Sequence, residues 1–384
     1  MPDTHTTETW VCPTLLFEDG RLRAGRALAL RDGRVSDVAD RDSLPASATT
    51  VAVDGIVAPG FVDLQVNGGG GVLINATPTQ EAMWAVARAH RPFGTTAIFP
   101  TVITDSRDVL DRTVSAAIEA CGMNGVAGLH IEGPHISVDR RGTHKAAFVR
   151  PLDDSTIAHI RRLRAAGVPT MVTVAPEVVT PAQIAAMVAL GAVVSLGHSK
   201  ATGDETRKAL AAGATCATHL FNAMPPMTAR GPGLAGAVIN SQAYAGLICD
   251  GIHVSDDMLA MAIRARPVAG RMFLVSDAMP TVGGPPEFDL YGTTVHLEGH
   301  KLVNSEGSLA GAHTTMSEGV RCVADTLGFG LETALQMAIT VPCRAMGLSL
   351  DALAGRDAGD LVLLDAAANV VGALDSVVAD APAG

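Results

Sequence analysis

Eight short apolar runs, most of them separated by stretches of helical periodicity, limit what this 384-residue chain can fold into. Candidate strands fall at 57–66, 95–102, 127–132, 170–175, 193–198, 214–220, 245–253 and 271–277. Helical patterns occupy 79–91, 106–121, 153–166, 181–190, 204–212 and 256–265, and further helical pieces at 316–327 and 331–346 follow the last strand. Eight alternating βα units predict an α/β fold, a (β/α)8 TIM-like barrel. A doubly wound sheet also alternates, but no GxGxxG follows the first strand. Hydrophobic residues make up 48% of the chain and aromatic ones only 3%, so the core is built from Ala, Val, Leu, Ile and Met. Such residues suit helices packed closely on a parallel sheet.

The two ends read differently. Residues 10–17, 27–31, 35–38 and 51–57 are short β-rich pieces, and Asp32-Gly33 between alternating apolar positions signals a hairpin. The last thirty residues are similar, with Leu361-Val362-Leu363-Leu364 and Val370-Val371. The expected organisation is a small β-sandwich from both termini, 1–58 plus 355–384, flanking the barrel at 59–354.

A formal net charge of −11 and no visible basic stripe argue against a nucleic-acid partner. A local pocket can still attract a small anionic substrate. Cys12, Cys121, Cys216, Cys249, Cys322 and Cys343 show no CxxC or regular spacing, which reads as reduced, mostly buried thiols. The opening residues lack a signal-peptide pattern, and no run is long enough for a membrane span. The expectation is a soluble cytoplasmic protein.

Four strand ends carry chemistry. Leu129-His130-Ile131-Glu132-Gly133-Pro134, Leu196-Gly197-His198-Ser199 and Thr218-His219-Leu220 each stop an apolar run at a ligand-capable side chain. Phe273-Leu274-Val275-Ser276-Asp277 ends the eighth run in a carboxylate. A barrel presents its active site at such ends. Alone, His198 or His219 reads more readily as a core histidine, and Asp277 as a turn or cap residue. Together, on different strands, Glu132, His198 and His219 suit one divalent metal, with Asp277 as a base beside it. His130, two residues before Glu132, faces the same side and is expected in the barrel interior below the metal. The first strand offers Gln65 and Asn67 where a two-metal site needs an HxH pair. Amide oxygens are weak ligands for a zinc-like ion, so the site reads as mononuclear, with Gln65 placed to hold a water.

The ordered series of these motifs resembles the N-acetylglucosamine-6-phosphate deacetylases, on the single-metal branch of the amidohydrolase superfamily. The likeness runs from Ala58-Pro59-Gly60 to Gly359-Asp360-Leu361 and includes Gly142-Thr143-His144, Asn222-Ala223-Met224-Pro225, Asp250-Gly251-Ile252-His253 and Ser276-Asp277-Ala278-Met279. The resemblance implies hydrolysis of the acetamide of N-acetyl-D-glucosamine 6-phosphate to glucosamine 6-phosphate and acetate. It implies Glu132, His198 and His219 as metal ligands, Asp277 as general base and acid, and His144 as donor to the amide oxygen. It also implies substrate contacts from Gln65, Thr143, Asn222, the backbone at Ala223, and His253, with Leu309, Ala310 and Gly311 near the sugar ring. Arg230 would contact the phosphate across a homodimer interface. On the residues alone, Arg230 is a loop arginine and His144 lies in a basic loop.

Three readings compete with this one: a deacetylase of the galactosamine epimer, another amidohydrolase, and a silent barrel serving as a scaffold. A complete set of strand-end groups disfavours the scaffold. The metal is expected to be Zn²⁺, with Fe²⁺, Mn²⁺, Co²⁺ and Cd²⁺ as alternatives, because availability and geometry select as much as affinity. His135 and His313 have no assigned role.

Overall fold

The computed structural model describes residues 8–304, 307 and 309–379, so the outermost parts of the expected small domain, 1–7 and 380–384, lie outside the described residues. Eight parallel strands follow one another around a barrel: β1 (Phe61–Val66), β2 (Thr95–Ile103), β3 (Leu129–Glu132), β4 (Thr170–Val174), β5 (Val193–Leu196), β6 (Cys216–Ala217), β7 (Tyr244–Leu247) and β8 (Met272–Leu274). Each pairs with its sequence neighbour. The seam between β1 and β8 is closed just beyond the last strand. Asp277 N–H donates to the Gln65 carbonyl at 3.0 Å, and Asn67 N–H to the Ala278 carbonyl at 2.9 Å. Below them, the buried Asp63 carboxylate accepts the Ser276 N–H at 3.2 Å.

Helices α1 (Gln80–His90), α2 (Arg107–Ala120), α3 (Asp154–Ala165), α4 (Pro181–Ala189) and α5 (Gly203–Ala211) start where the sequence supplies caps. Thr79, Ser106, Asp153, Thr180 and Thr202 each accept a first-turn N–H. Helix α6 (Gly233–Ile239) was not anticipated. Leu234 to Ile239 are all buried, so the segment has no polar face and shows no amphipathic period. Helix α7 (Asp256–Arg264) ends the regular series.

Two sequence expectations need correction. The run at 57–66 is not one strand. It breaks at Gly60, whose added Cβ would lie 2.2 Å from the Thr96 side chain; Thr49–Pro59 joins the terminal sheet and β1 enters the barrel. After β8 comes an antiparallel sheet that the sequence reading lacked: β9 (Glu287–Leu290), β10 (Thr293–Glu298), β11 (Lys301–Asn304) and β12 (Leu309–Ala312). Its strands are only four to six residues long, and the first three mix polar with apolar residues, so they give a weak apolar signal.

The terminal segments do pair. Thr9–Glu18, Arg21–Arg23, Arg26–Arg31, Arg34–Asp40 and Thr49–Pro59 share one seven-stranded mixed sheet with Leu361–Leu364 and Val370–Ala373. Leu361–Leu364 runs antiparallel to Ile56–Pro59. Asp32 and Gly33 take positive φ in the expected hairpin, between the paired Arg31 and Arg34. One face of the sheet packs Val11, Leu28 and Leu361, and the other packs Trp10, Cys12 and Ala29.

Candidate active site

All four chemistry-bearing strand ends meet at one mouth of the barrel. His198 Nε2 and His219 Nε2 lie 3.2 and 3.1 Å from the same Glu132 oxygen and 3.0 Å from each other. His198, His219 and Asp277 all hold left-handed backbone, with φ of 45°, 27° and 51°. Non-glycine residues seldom adopt it, at a cost on the order of 1–3 kcal/mol each, and such strain clusters at functional sites.

The donor set fits a cation. His198 Nδ1 faces the Arg140 carbonyl at 2.9 Å, so Nδ1 carries the proton and Nε2 aims a lone pair at Glu132. His219 Nδ1 is buried and has no hydrogen-bond partner among the described residues. Two imidazole nitrogens and a carboxylate oxygen, all buried and within 4.8 Å of one another, form a donor set that could hold a divalent cation. Burial opposes the charge on Glu132, yet the imidazoles of His198 and His219 hold its carboxyl well below the usual range.

Asp277 faces the same cavity. Its Oδ1 accepts from Asn67 Nδ2 at 2.6 Å and from Gln65 Nε2 at 3.0 Å, and Gln65 Nε2 also reaches Glu132 Oε1 at 3.0 Å. Burial, and then the charge of Glu132, pushes the Asp277 carboxyl up to about 6. A carboxylate so poised can accept and return a proton near neutral pH. The two amides that replace an HxH pair therefore orient the base, a role the sequence suggested for neither, since it pointed to Gln65 only as the holder of a water.

His144 lies against His198, ring centroids 4.4 Å apart, and Thr104 Oγ1 is 2.8 Å from its Nδ1. Burial and the neighbouring His198 hold it well below the usual imidazole range. Thr143, His144, Asn222, Ala223, His253, Leu309 and Gly311 line a cavity of about 270 Å³ together with the metal group and Asp277. His253 Nδ1 sits 2.6 Å from Asp250. Ala310 does not line the cavity. Strand alternation turns it into the cluster of Met279 and Leu290, while its neighbours Leu309 and Gly311 face inward. Arg230 is exposed and stands outside its own chain's cavity.

Three histidines outside the cavity have clear structural partners. His130 is buried below the metal group, as expected, 2.7 Å from Thr173 Oγ1, and burial lowers its pKa to about 4. His135 bridges the Arg150 carbonyl and Thr156 Oγ1. His313 Nδ1 lies 2.9 Å from Thr281 Oγ1.

A parallel eight-stranded barrel with Glu, two His and Asp at its C-terminal mouth defines a metal-dependent hydrolase. The amidohydrolase family matches residues 56–384, and the chain belongs to that family. It is 43% identical over 293 residues to the N-acetylgalactosamine-6-phosphate deacetylase of Shewanella sp. (strain ANA-3), covering 75% of this chain and 73% of that protein. It is 32% identical over 295 residues to the N-acetylglucosamine-6-phosphate deacetylase of Haemophilus influenzae, covering 75% and 76%. The crystal structure of N-acetylglucosamine-6-phosphate deacetylase from Pasteurella multocida superposes with a TM-score of 0.87 at 29% identity, covering 95% of this chain and 97% of that one.

Proposed function

We propose that this enzyme removes the acetyl group from N-acetyl-D-glucosamine 6-phosphate, giving D-glucosamine 6-phosphate and acetate. The observation that carries the reading is the convergence of Glu132, His198 and His219 beside a buried Asp277 in a cavity of about 270 Å³. The Haemophilus influenzae relative, matched over 76% of its length and named for the glucosamine substrate, supports it. When bound, a divalent cation supplies Lewis acidity that polarises the amide carbonyl and makes water nucleophilic near neutral pH. Zn²⁺ suits one carboxylate and two imidazoles, and Fe²⁺, Mn²⁺, Co²⁺ and Cd²⁺ can take the same set.

The chain's own residues divide the remaining work. Asp277 takes the proton of the attacking water and then gives it to the departing nitrogen. His144 Nε2–H donates to the oxygen on which negative charge develops. Gln65 and Asn67 hold Asp277 in place. Thr143, Asn222 and the backbone at Ala223 contact the sugar, as do Leu309, Gly311 and the backbone at Ala310. His253, oriented through Nδ1 by Asp250, turns its other nitrogen to the phosphate. Arg230, exposed on a Thr228–Gly231 turn, reaches the phosphate in the partner's site of a homodimer. This reading divides the chain into a barrel at 59–354 and a small domain of 1–58 with 355–384. All six cysteines are free, which supports a reducing cytoplasmic setting, and no helix among the described residues is long and apolar enough to cross a membrane.

One observation favours a second substrate. The Shewanella relative at 43% identity is named for the galactosamine epimer. Acetate release from the 6-phosphates of N-acetylglucosamine and N-acetylgalactosamine, and from both unphosphorylated sugars, tests both readings. We expect turnover only with phosphate present and a preference for the gluco epimer. Equal turnover without phosphate overturns the phosphate contacts, and a galacto preference overturns the choice of epimer.

A further inference from the structure

Thr104, just beyond the end of β2, contacts two parts of the site. Its Oγ1 is 2.8 Å from His144 Nδ1, and its backbone N–H donates to the same nitrogen at 3.3 Å. A backbone N–H can only donate, so Nδ1 must be the acceptor and the His144 proton sits on Nε2. The Thr104 side chain also fills the space beside Gly133, the residue after Glu132. A Cβ added at Gly133, which has a φ of +82°, would lie 2.2 Å from Thr104 Oγ1.

Tyr291 holds Thr104 from the other side. Its hydroxyl donates to the Thr104 carbonyl. Tyr291 and Gly292 form the two-residue turn between β9 and β10, with φ of 55° and 83°, closed by the Leu290–Thr293 pair. The Tyr291 ring lies 6.4 Å from the Phe148 ring, and Lys145 Nζ stands over both rings at 5.9 and 5.4 Å. One hairpin tip therefore touches both segments that meet at His144: the end of β2 and the loop that follows His144.

We propose that the β9–β12 sheet is a clamp whose Tyr291 fixes Thr104, and that Thr104 fixes the tautomer and direction of His144, so that Nε2–H meets the amide oxygen. Thr104 and Tyr291 are positioning residues for the reaction. The inference deepens the deacetylase reading and rests on it for the role of His144. Preorganised donors act because they need not rearrange as charge develops, and losing one such donor costs about 10²–10³ in rate.

The test compares Thr104→Val, Thr104→Ser and Tyr291→Phe with the unaltered enzyme, each loaded with metal. Thr104→Val should lower kcat by about 10- to 100-fold with KM and metal content nearly unchanged, a part of the full loss of a donor. Thr104→Ser, which keeps the hydroxyl, should recover most of that rate. Tyr291→Phe should lower kcat by about 3- to 10-fold, since it loosens the clamp without removing the contact to His144. Nitrogen NMR of ¹⁵N-histidine protein, with His144→Gln to assign the signal, should show His144 protonated at Nε2 in the unaltered chain and in Thr104→Val, which keeps the Thr104 backbone N–H, with the Nδ1 signal shifted in the variant by loss of the hydroxyl contact. A Thr104→Val enzyme of full kcat, or a His144 protonated at Nδ1 in the unaltered chain, overturns the inference. If the unaltered enzyme releases no acetate from any sugar phosphate, the deacetylase reading fails, and the tautomer measurement still decides whether Thr104 sets His144.

Discussion

His198 Nε2 and His219 Nε2 are 3.0 Å apart, a separation that lets both nitrogens turn a lone pair to one divalent cation. The third member, Glu132, is buried and brings one negative charge. The enzyme as isolated should carry a divalent ion in this group, and chelation should remove activity and lower the unfolding midpoint together. A ligand at a hundred times its Kd stabilises the folded state by about 2.7 kcal/mol, so the shift is measurable by calorimetry. His219→Ala should lose the ion by elemental analysis. Full metal content in that variant would break the assignment.

Asp277→Asn separates catalysis from metal binding. The donors Asn67 Nδ2 and Gln65 Nε2 hold the amide oxygen where Oδ1 now sits, so the variant keeps its geometry and loses only its proton acceptor. Acetate release should fall by about 10²–10⁴-fold, the usual worth of a positioned acid–base group. Metal content should not change. The pH profile follows from the same residue: burial lifts its carboxyl to about 6, and the base form is the ionised one. Activity should therefore rise as pH increases through this region. A bound cation favours the carboxylate and moves that limb to lower pH.

Much of this site was legible in the sequence, and the reason is chemical. Glu132, His198, His219 and Asp277 end apolar strands, where a buried charge or imidazole needs a partner, so the residue types alone suggested a shared centre. The barrel was legible for a similar reason: α1 to α5 begin at capping side chains that the sequence displays. Gln65 could be read as the holder of a water and Asn67 as a missing ligand, but their service to Asp277 depends on closure between β1 and β8. Thr104 carried no signal at all: a single threonine after a strand acquires its role only when the loop of His144 and the hairpin of Tyr291 fold against it. Ala310 is a different case: the motif named three consecutive residues, and strand alternation turns its side chain away from the cavity that Leu309 and Gly311 line.

Asp63 predicts how stability varies with pH. It is fully buried at the β1–β8 seam, and burial, partly offset by donors from Gln65 and Ser276, pushes its carboxyl from the ordinary 3.8 up to about 7. The folded chain thus holds this proton more tightly than the unfolded chain. Its contribution is complete below the unfolded value and is lost as pH rises through 7, a change on the order of a few kcal/mol. Asp63→Asn retains an oxygen to accept the Ser276 N–H and cannot ionise. Its unfolding midpoint should change less than that of the unaltered protein between pH 5 and 8, with the gap widening at the alkaline end. Parallel curves would show that Asp63 is ionised in the folded chain throughout.

Arg230 offers a test of assembly that does not depend on seeing the interface. The side chain is exposed and lies outside the cavity of its own chain, so the proposed phosphate contact would be made in another copy. Arg230→Ala should raise KM for the phosphorylated sugar with metal content unchanged, and Asp277→Asn should be inactive for the reason given above. In a mixed dimer, the Asp277→Asn chain lends its intact Arg230 to a site whose Asp277 is intact. Mixing the two variants under exchange should restore roughly a quarter of the unaltered rate at low substrate, because half of the dimers are mixed and each holds one complete site. A mixture that performs no better than the sum of its parts would place Arg230 in its own chain's site or outside the reaction.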